Sequence, residues 1–373
     1  MSHTNPFMTL DSFLDCDCVQ PNQSQSHPTE REGWIIDKSQ RTHEDFTEYL
    51  TSHLVVCLEM ELNYKTGIRS SLIDSVAVDE FGVSTDWMSA CPVCGFDGCT
   101  SHDPPKTIRK IKCDPTIRGK EILIWGSPIP SEEFVRRLPL ENIKKYFVPR
   151  PQDSLHTHTL IPQQQRSIPI QIAQNAWEFF RAYYPAWVHI FGNYRRHYLR
   201  SWWAQFRSYE TNLLDLDNWP EVSQKFQGGL HFENCSRDNF GDITHFDAEI
   251  RTQDASTDLE QVVSARALSK AIFLKSAQLA TEGVIEMPVK KKAIILPLIE
   301  ELNRGCVNHR RPDFYGHTKQ SFDLTLEERH GSFMRGLAEE FFSQVKPFLS
   351  EFEARCVTNC IVNPIRHRRP KFA

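Results

Sequence analysis

The sequence predicts an α+β fold in which a zinc-stapled, β-containing N-terminal region precedes a mainly helical C-terminal region with one β-hairpin. Short apolar runs beside turn residues occupy the first half of the chain, as at 122–125 before Gly126, and such runs are typical of strands. A segment rich in Pro and Gln, 148–170, follows them. Beyond it, apolar residues recur at the spacing of amphipathic helices.

The 373 residues of the chain are enough for two or three domains, and changes in composition suggest where they meet. Residues 1–40 are polar without periodicity, so we expect disorder there. Residues 41–147 would form the zinc-containing α+β domain, and 148–170 a linker. Residues 171–361 would form the mainly helical domain, and 362–373 a basic tail.

Local patterns predict the individual elements. We expect a helix over 43–63, followed by strands on both sides of a cysteine cluster. After the linker, helices over 171–184 and 187–210 are broken at Pro185, because proline removes a helical hydrogen bond. A hairpin is expected across 229–251.

Two capping boxes predict later helices, since a Ser or Thr followed by Glu three residues later satisfies free amides at a helix start. Thr257 with Glu260 opens the first helix, and Thr325 with Glu328 opens the second. The second helix carries an apolar stripe within 334–352 at helical spacing. We expect that stripe to belong to the core.

Composition excludes some classes of protein. The formal net charge is -5, so we expect no global attraction to nucleic acid or membrane. No apolar run reaches the roughly 18 residues of a bilayer span, and the N-terminus lacks a secretory pattern. We therefore expect no membrane partner and a cytoplasmic or nuclear location, in which the eleven cysteines would be reduced thiols.

A cysteine cluster predicts a structural Zn²⁺ site. Cys91 and Cys94 enclose two residues, and Cys99 and His102 enclose two more. Paired thiolates at this spacing reach one ion from a tight turn, and a closed tetrahedral set of four ligands has a structural role. Because the loop between the pairs is short, Cys113 is an alternative to His102. A cysteine-rich loop without metal is the simpler interpretation.

A second set of potential ligands is more dispersed. Cys306 and His309 form one pair, and Cys356 and Cys360 would lie one turn apart on a helix. Buried structural cysteines are the simpler interpretation. Whether the four form a second metal site stays open at this point.

The predicted helix 187–210 has one aromatic face and one basic face. The basic face and the tail carry Arg196, Arg200, Trp203, Arg207, Arg368 and Arg369. Arginines with an exposed Trp suit phosphate contact and base stacking, so RNA or DNA is the expected ligand. An amphipathic helix with an ordinary charged outer face, and a solvated tail, are the alternatives.

The predicted hairpin places ionisable residues on one face. Strand alternation puts His231 with Glu233 on one strand, and His245, Asp247 and Glu249 on the return strand. If these faces coincide, the arrangement suits a divalent metal or acid–base chemistry. The alternative is the wet side of an antiparallel sheet.

A short motif suggests a protein partner. Residues 138–147 begin Leu-Pro-Leu-Glu-Asn-Ile, which resembles the Leu-Pro core of F-box and SOCS-box segments. That resemblance implies docking to a ubiquitin-ligase adaptor, as in a virus-encoded or regulatory accessory protein. Alternatively, Pro139 simply starts a helix.

Together these observations favour a zinc-containing, non-enzymatic protein that binds nucleic acid or acts as a regulatory accessory. Two alternatives remain. One is a metal-dependent enzyme that uses His231, Glu233, His245 and Asp247. The other is an interaction adaptor that docks through 138–147.

Overall fold

The chain folds into a mixed structure of helices and antiparallel sheet, as the sequence predicts at the level of α+β. The computed structural model describes residues 33–81, 108–113, 119–124, 126, 129–149, 153–161, 166–192, 230–308 and 319–364.

The strands are β1 Ile35–Asp37, β2 Val55–Tyr64, β3 Ile108–Cys113, β4 Gly119–Ile124, β5 Phe147–Val148, β6 Ser154–Ile161, β7 Leu230–Arg237, β8 Ile243–Asp254 and β9 Val284–Glu286. The helices are α1 Thr47–His53, α2 Ser70–Val76, α3 Ser131–Arg137, α4 Leu140–Tyr146, α5 Ile170–Ala182, α6 Tyr184–Phe191, α7 Leu259–Ala280, α8 Val289–Asn308, α9 Lys319–Val345 and α10 Glu351–Val362.

One seven-stranded sheet organises the described part of the chain. Its strand order is β3-β4-β2-β6-β8-β7, and β5 pairs with β2 beside this path. The pairings are antiparallel. Strands β1 and β9 form a separate small sheet. The centre of the large sheet is therefore built from β2, β6 and β8, which lie far apart in sequence.

The two faces of the large sheet differ because side chains alternate along each strand. On β2, Leu58, Met60 and Leu62 are buried, whereas Glu59 and Glu61 are only half-buried. The apolar face packs against α7, which contacts both β2 and β6. The opposite face therefore presents polar groups from the central strands.

Aromatic packing fixes the apolar face at β8. Phe246 is fully buried and stacks on Phe273 of α7, with 5.2 Å between the ring centroids. Phe232 of β7 meets both rings edge-on. A buried ring of this kind contributes several kcal/mol through lost water contact and packing, about 3–5 kcal/mol on truncation. The register of β8 is thus held by its core side.

The small sheet is tied to α5 through one buried amide. Asn175 donates to the carbonyl of Gly283 at 3.0 Å and accepts from the amide of Ile285 at 2.9 Å. Gly283 has φ 145°, and a Cβ there would lie 2.2 Å from the carbonyl oxygen of Asp37. This close approach of two backbones explains why glycine occupies the position.

The predicted helix over 43–63 is only partly helical. Helix α1 ends at His53, and Val55–Tyr64 is strand β2. Alternating burial along β2 matches a period of two, and pairing with β4 and β6 outweighs the helical propensity of the local sequence.

The predicted linker 148–170 contains a central strand. Residues Ser154–Ile161 form β6 between β2 and β8, and prolines bracket the strand on both sides. The predicted domains 41–147 and 171–361 therefore contribute strands to one sheet. The cysteine cluster that would staple the first domain lies outside the described residues.

The C-terminal predictions are confirmed for the hairpin and the helix break, whereas both predicted capping boxes are wrong. Strands β7 and β8 form the expected hairpin, and Pro185 lies in the first turn of α6. The start of α7 is capped by Asp258, which accepts from the amide of Gln261 at 3.1 Å, so Thr257 is not the capping residue. Helix α9 already begins at Lys319, so no helix starts at Thr325.

The predicted core stripe is buried at Met334, Leu337, Phe341 and Val345. Phe348 and Phe352 lie beyond the end of α9 and are only partly buried. Helix 187–210 is described only as far as residue 192. Among the helices that the structure describes, none has the length and apolarity needed to cross a membrane.

Candidate metal centre on the polar face of the sheet

The polar face concentrates histidines and carboxylates at the centre of the sheet. Glu59 on β2 pairs in register with His156 on β6, and His158 on β6 pairs with Glu249 on β8. Directly paired residues share a face and lie close together. Asp247 on β8 is two residues from Glu249 and therefore lies on the same face.

Three side chains form a compact donor set. Glu59, His156 and His158 each offer one ligand atom, and these atoms all lie within 4.8 Å of one another. The Nδ1 atom of His156 is 2.9 Å from Oε1 of Glu59, and Nε2 of His158 is 3.8 Å from Oε2 of Glu59. With metal–ligand bonds of about 2.0–2.2 Å, two ligands of one ion lie about 3–4 Å apart. The donor atoms therefore have the spacing of a metal-binding site.

Glu249 approaches the same histidines from β8. Its Oε1 atom is 3.0 Å from Nδ1 of His156 and 3.6 Å from Nε2 of His158. Its Oε2 atom accepts from Nη1 of Arg251 at 2.8 Å. The side chain of Glu249 is almost fully buried, so it is a second carboxylate beside the histidines, held in place by an arginine.

The ring of His158 is held by Asp247 at one nitrogen. The Nδ1 atom lies 3.1 Å from both carboxylate oxygens of Asp247. The Nε2 atom on the other side of the ring is buried and has no hydrogen-bond partner among the described residues. That nitrogen points toward the carboxylates of Glu59 and Glu249.

The carboxylates control the charge of the two rings. Burial disfavours protonation of His156, but hydrogen bonds to Glu249 and Glu59 outweigh it and raise its pKa to about 9. Burial likewise opposes protonation of His158, and the charges of Asp247 and Glu249 raise its pKa well above the usual value. Without a metal, both imidazole rings are therefore in the positively charged, doubly protonated form at neutral pH.

The pKa values of two glutamates in this cluster shift in opposite directions. Burial alone would raise the pKa of Glu59, but the hydrogen bond from His156 and the positive charges of His156 and His158 hold it far below its usual value. Burial and then the charge of Glu59 raise the pKa of Glu121, on β4, to about 7. Glu121 also forms an ion pair with Lys112 on β3. The sheet therefore places several carboxylates close together beside the two histidines.

This arrangement can exchange protons for a cation. A metal-binding nitrogen must be deprotonated, so a dication bound here would displace one proton from each of His156 and His158. Two protons and one dication carry the same charge, which leaves the electrostatic balance of the buried carboxylates intact. Two imidazoles with carboxylates suit Zn²⁺, Mn²⁺ or Fe²⁺. The side chains of Glu59, His158 and Asp247 remain 16–17% exposed, so the cluster is not fully enclosed.

The structure unites part of the sequence-predicted hairpin site with residues from elsewhere. Asp247 joins the centre, whereas His245 directs Nδ1 to the backbone carbonyl of Ile161 at 2.7 Å. His231 pairs in register with Glu249, and Glu233 with Asp247, so both predicted positions lie beside the cluster.

Sequence reasoning missed the three residues of the candidate donor set, Glu59, His156 and His158. The His-Thr-His pattern was visible, but its Pro-rich flanks favoured a linker. Alternating apolar and polar residues over 55–62 were the signal that could have placed Glu59 on a strand. Nothing in the sequence indicates that these two segments pair.

Several predicted sites fall outside the described residues. These are the zinc ligands Cys91, Cys94, Cys99 and His102, and the nucleic-acid contacts Arg196, Arg200, Trp203, Arg207, Arg368 and Arg369. Cys113 is described and exposed at the end of β3.

The dispersed cysteine set has one described pair. Cys356 and Cys360 are buried on α10 and form no disulfide. Burial and then the charge of Glu260 raise the pKa of Cys356 to about 11, which disfavours the thiolate that a metal needs.

The Leu-Pro motif contributes to the core. Leu138, Leu140, Ile143 and Tyr146 are buried, and Pro139 directly precedes α4. The apolar side chains of 138–147 are therefore occupied by internal packing.

The fold and the site define an α+β protein with a candidate metal centre on an antiparallel sheet. No family model matches the chain, and no curated protein sequence matches it significantly. Among solved structures, the chain is similar to the complex between the prokaryotic ubiquitin-like protein Pup and its ligase PafA. The identity is 10%, the TM-score is 0.31, and the match covers 86% of this chain and 70% of that chain. A likeness at this level does not establish a shared fold or activity.

Proposed function

We propose that this chain is a metal-dependent enzyme whose divalent cation is held by Glu59, His156 and His158 on the polar face of the large sheet. The observation that carries the proposal is the convergence of three donor groups, from strands distant in sequence, within 4.8 Å. Buried histidines and carboxylates are costly in a fold unless they are paired or bind a ligand. Their concentration at the centre of a sheet favours a functional role.

The donor set resembles a catalytic site more than a structural one. Structural zinc sites are closed by four protein ligands, whereas catalytic sites keep a position open for water or substrate. Here three donors converge and part of the cluster is open to solvent. A bound dication would supply Lewis-acid polarisation or an activated water at that position.

The surroundings favour an anionic substrate. Arg251 on β8 and Lys112 on β3 flank the centre on different sides, and their side chains are 25% and 33% exposed. Guanidinium and ammonium groups recognise carboxylates and phosphates. The chain's own carboxylates, Glu121 and Glu249, would orient these cations or transfer protons beside the metal.

Metal binding to chelator-treated protein tests the proposal. Mn²⁺ binding would be followed by electron paramagnetic resonance, and Zn²⁺ binding by calorimetry. We expect Glu59→Gln and His156→Gln to weaken binding at least 10-fold, since each removes a donor. His245→Gln is the matched control, because that histidine lies on the same sheet but bonds a backbone carbonyl.

A second measurement addresses catalysis. Water-proton relaxation should detect an exchangeable water on bound Mn²⁺ if the coordination sphere is open. Metal-dependent turnover of a panel of phosphate esters and carboxylate substrates should then disappear in Glu59→Gln. Unchanged Mn²⁺ affinity in Glu59→Gln would refute the metal site. A bound ion without exchangeable water would refute the catalytic role.

The zinc site at Cys91, Cys94, Cys99 and His102 stays a separate prediction, as does nucleic-acid binding. Elemental analysis of wild type, Cys94→Ser and Glu59→Gln distinguishes the two metals, because each variant should lose a different one. Salt-sensitive retention on a polyanion column, reduced by replacing Arg196, Arg200 and Arg207 together with Ala, would support nucleic-acid binding. Equal retention of that triple variant would contradict it.

A further inference from the structure

We infer that Asp247 is a positioning residue that orients the ring of His158 so that Nε2, rather than Nδ1, is the metal ligand. This inference rests on the proposed function. Both oxygens of Asp247 lie 3.1 Å from Nδ1, so that nitrogen carries the proton of the neutral ring. The lone pair of the neutral ring is then left on Nε2.

The environment of Nε2 fits a ligand atom. It is buried without a hydrogen-bond partner among the described groups, and a buried ring nitrogen without a partner costs free energy. Its neighbours are Oε2 of Glu59 at 3.8 Å and Oε1 of Glu249 at 3.6 Å. These separations are too long for hydrogen bonds but suit side chains gathered around one cation. A cation between them would satisfy all three groups.

Asp247 has the fixed position that this role requires. Metal-binding histidines commonly donate their second ring nitrogen to a carboxylate, which sets both tautomer and orientation. On either side of Asp247, Phe246 and Ala248 are buried on the opposite face of β8. The burial of both neighbours fixes the register of β8 and with it the position of the Asp247 carboxylate on the sheet.

The ring of His156 has different carboxylate partners from the ring of His158. Its Nδ1 atom lies between Glu59 at 2.9 Å and Glu249 at 3.0 Å, and both of these carboxylates lie next to Nε2 of His158 as well. Asp247 contacts His158 from outside that group. Its removal should therefore disturb one ligand while leaving the other donors present.

Nitrogen-15 NMR of histidine-labelled, Zn²⁺-loaded full-length protein tests the inference. We expect His158 to show a proton on Nδ1 and metal on Nε2. Asp247→Asn and Asp247→Ala should weaken Zn²⁺ affinity about 10- to 100-fold, the usual range for a group that supports a ligand. In both variants the His158 resonances should become mixed or exchange-broadened, a change that loss of stability alone does not produce.

The outcomes separate this inference from the proposed function. If Glu59→Gln leaves Zn²⁺ binding intact, the metal centre itself is refuted. If Glu59→Gln weakens binding but both Asp247 variants keep wild-type affinity and wild-type His158 resonances, only the positioning role is refuted. Metal on Nδ1 of His158 in the wild type would also overturn it. Circular dichroism of each variant confirms that the comparison is between folded proteins.

Discussion

The metal-free protein should lose stability as pH rises from neutral, and His156→Gln should remove much of that loss. His156 is only 3% exposed, and its neighbouring carboxylates raise its pKa from 6.5 to about 9. The folded protein therefore binds this proton more tightly than the unfolded chain does. A raised pKa of this kind adds stability below the unfolded value, and the contribution disappears as pH passes the folded value.

The magnitude follows from the size of the shift. A difference of one pKa unit corresponds to about 1.4 kcal/mol, so His156 contributes about 3 kcal/mol at pH 6 and almost nothing above its folded pKa. His158 changes stability in the same direction. Glu59 acts on the acid side: its lowered pKa adds stability above about pH 4.5 that is lost on acidification.

Urea unfolding in the presence of chelator measures the effect, with Trp fluorescence recorded near pH 6 and near pH 9.5. The wild type should lose about 3 kcal/mol more than His156→Gln between these pH values. His245→Gln is the matched comparison, because its ring lies on the same sheet and bonds the carbonyl of Ile161. If His156→Gln keeps the full wild-type slope, then His156 is not a protonated ring between two carboxylates, and the electrostatic reasoning for the centre is wrong.

Three further results are expected. Phe246→Ala should lower the free energy of unfolding, measured by urea titration, by about 3–5 kcal/mol. The control Phe240→Ala, at a position 93% exposed, should change it by less than about 0.5 kcal/mol. Equal effects of the two substitutions would contradict the assigned faces of the hairpin. Asn175→Ala should lower the free energy of unfolding by about 2–4 kcal/mol, because it leaves two buried backbone groups without partners. Faster hydrogen exchange at the Ile285 amide would localise the change to this contact, and unaltered exchange would argue against the contact. Burial raises the pKa of Cys356 to about 11. At pH 8 this thiol should therefore react with iodoacetamide about two orders of magnitude more slowly in the folded protein than after unfolding. Site-resolved mass spectrometry measures the labelling, and fast labelling of the folded protein would refute the buried state of Cys356.

Local periodicity predicted the elements that depend on neighbouring residues. The alternation of Phe246, Ala248 and Ile250 with His245, Asp247 and Glu249 is a property of one strand, and the structure buries the first set while leaving the second on the polar face. The apolar stripe of α9 was recognisable for the same reason. Each pattern reflects the geometry of a single element.

The same local reasoning failed where flanking residues gave a stronger signal than periodicity. Prolines and glutamines around His156 and His158 favoured a linker, although prolines also commonly flank strands. A helix start before Val55 favoured extending that helix through Glu59. In both segments, sheet pairing decided the conformation, and pairing partners are not encoded within either segment.

By itself, the sequence determined the α+β class, the hairpin 229–251 and the polar face that contains Asp247 and Glu249, since these follow from the period of side chains along one strand. Only the tertiary structure decided that Glu59 meets His156, because their contact joins strands 97 residues apart. The position of a residue in a sheet depends on register between distant strands, which is selected by the shared core beneath them. The candidate metal centre is therefore a product of strand pairing.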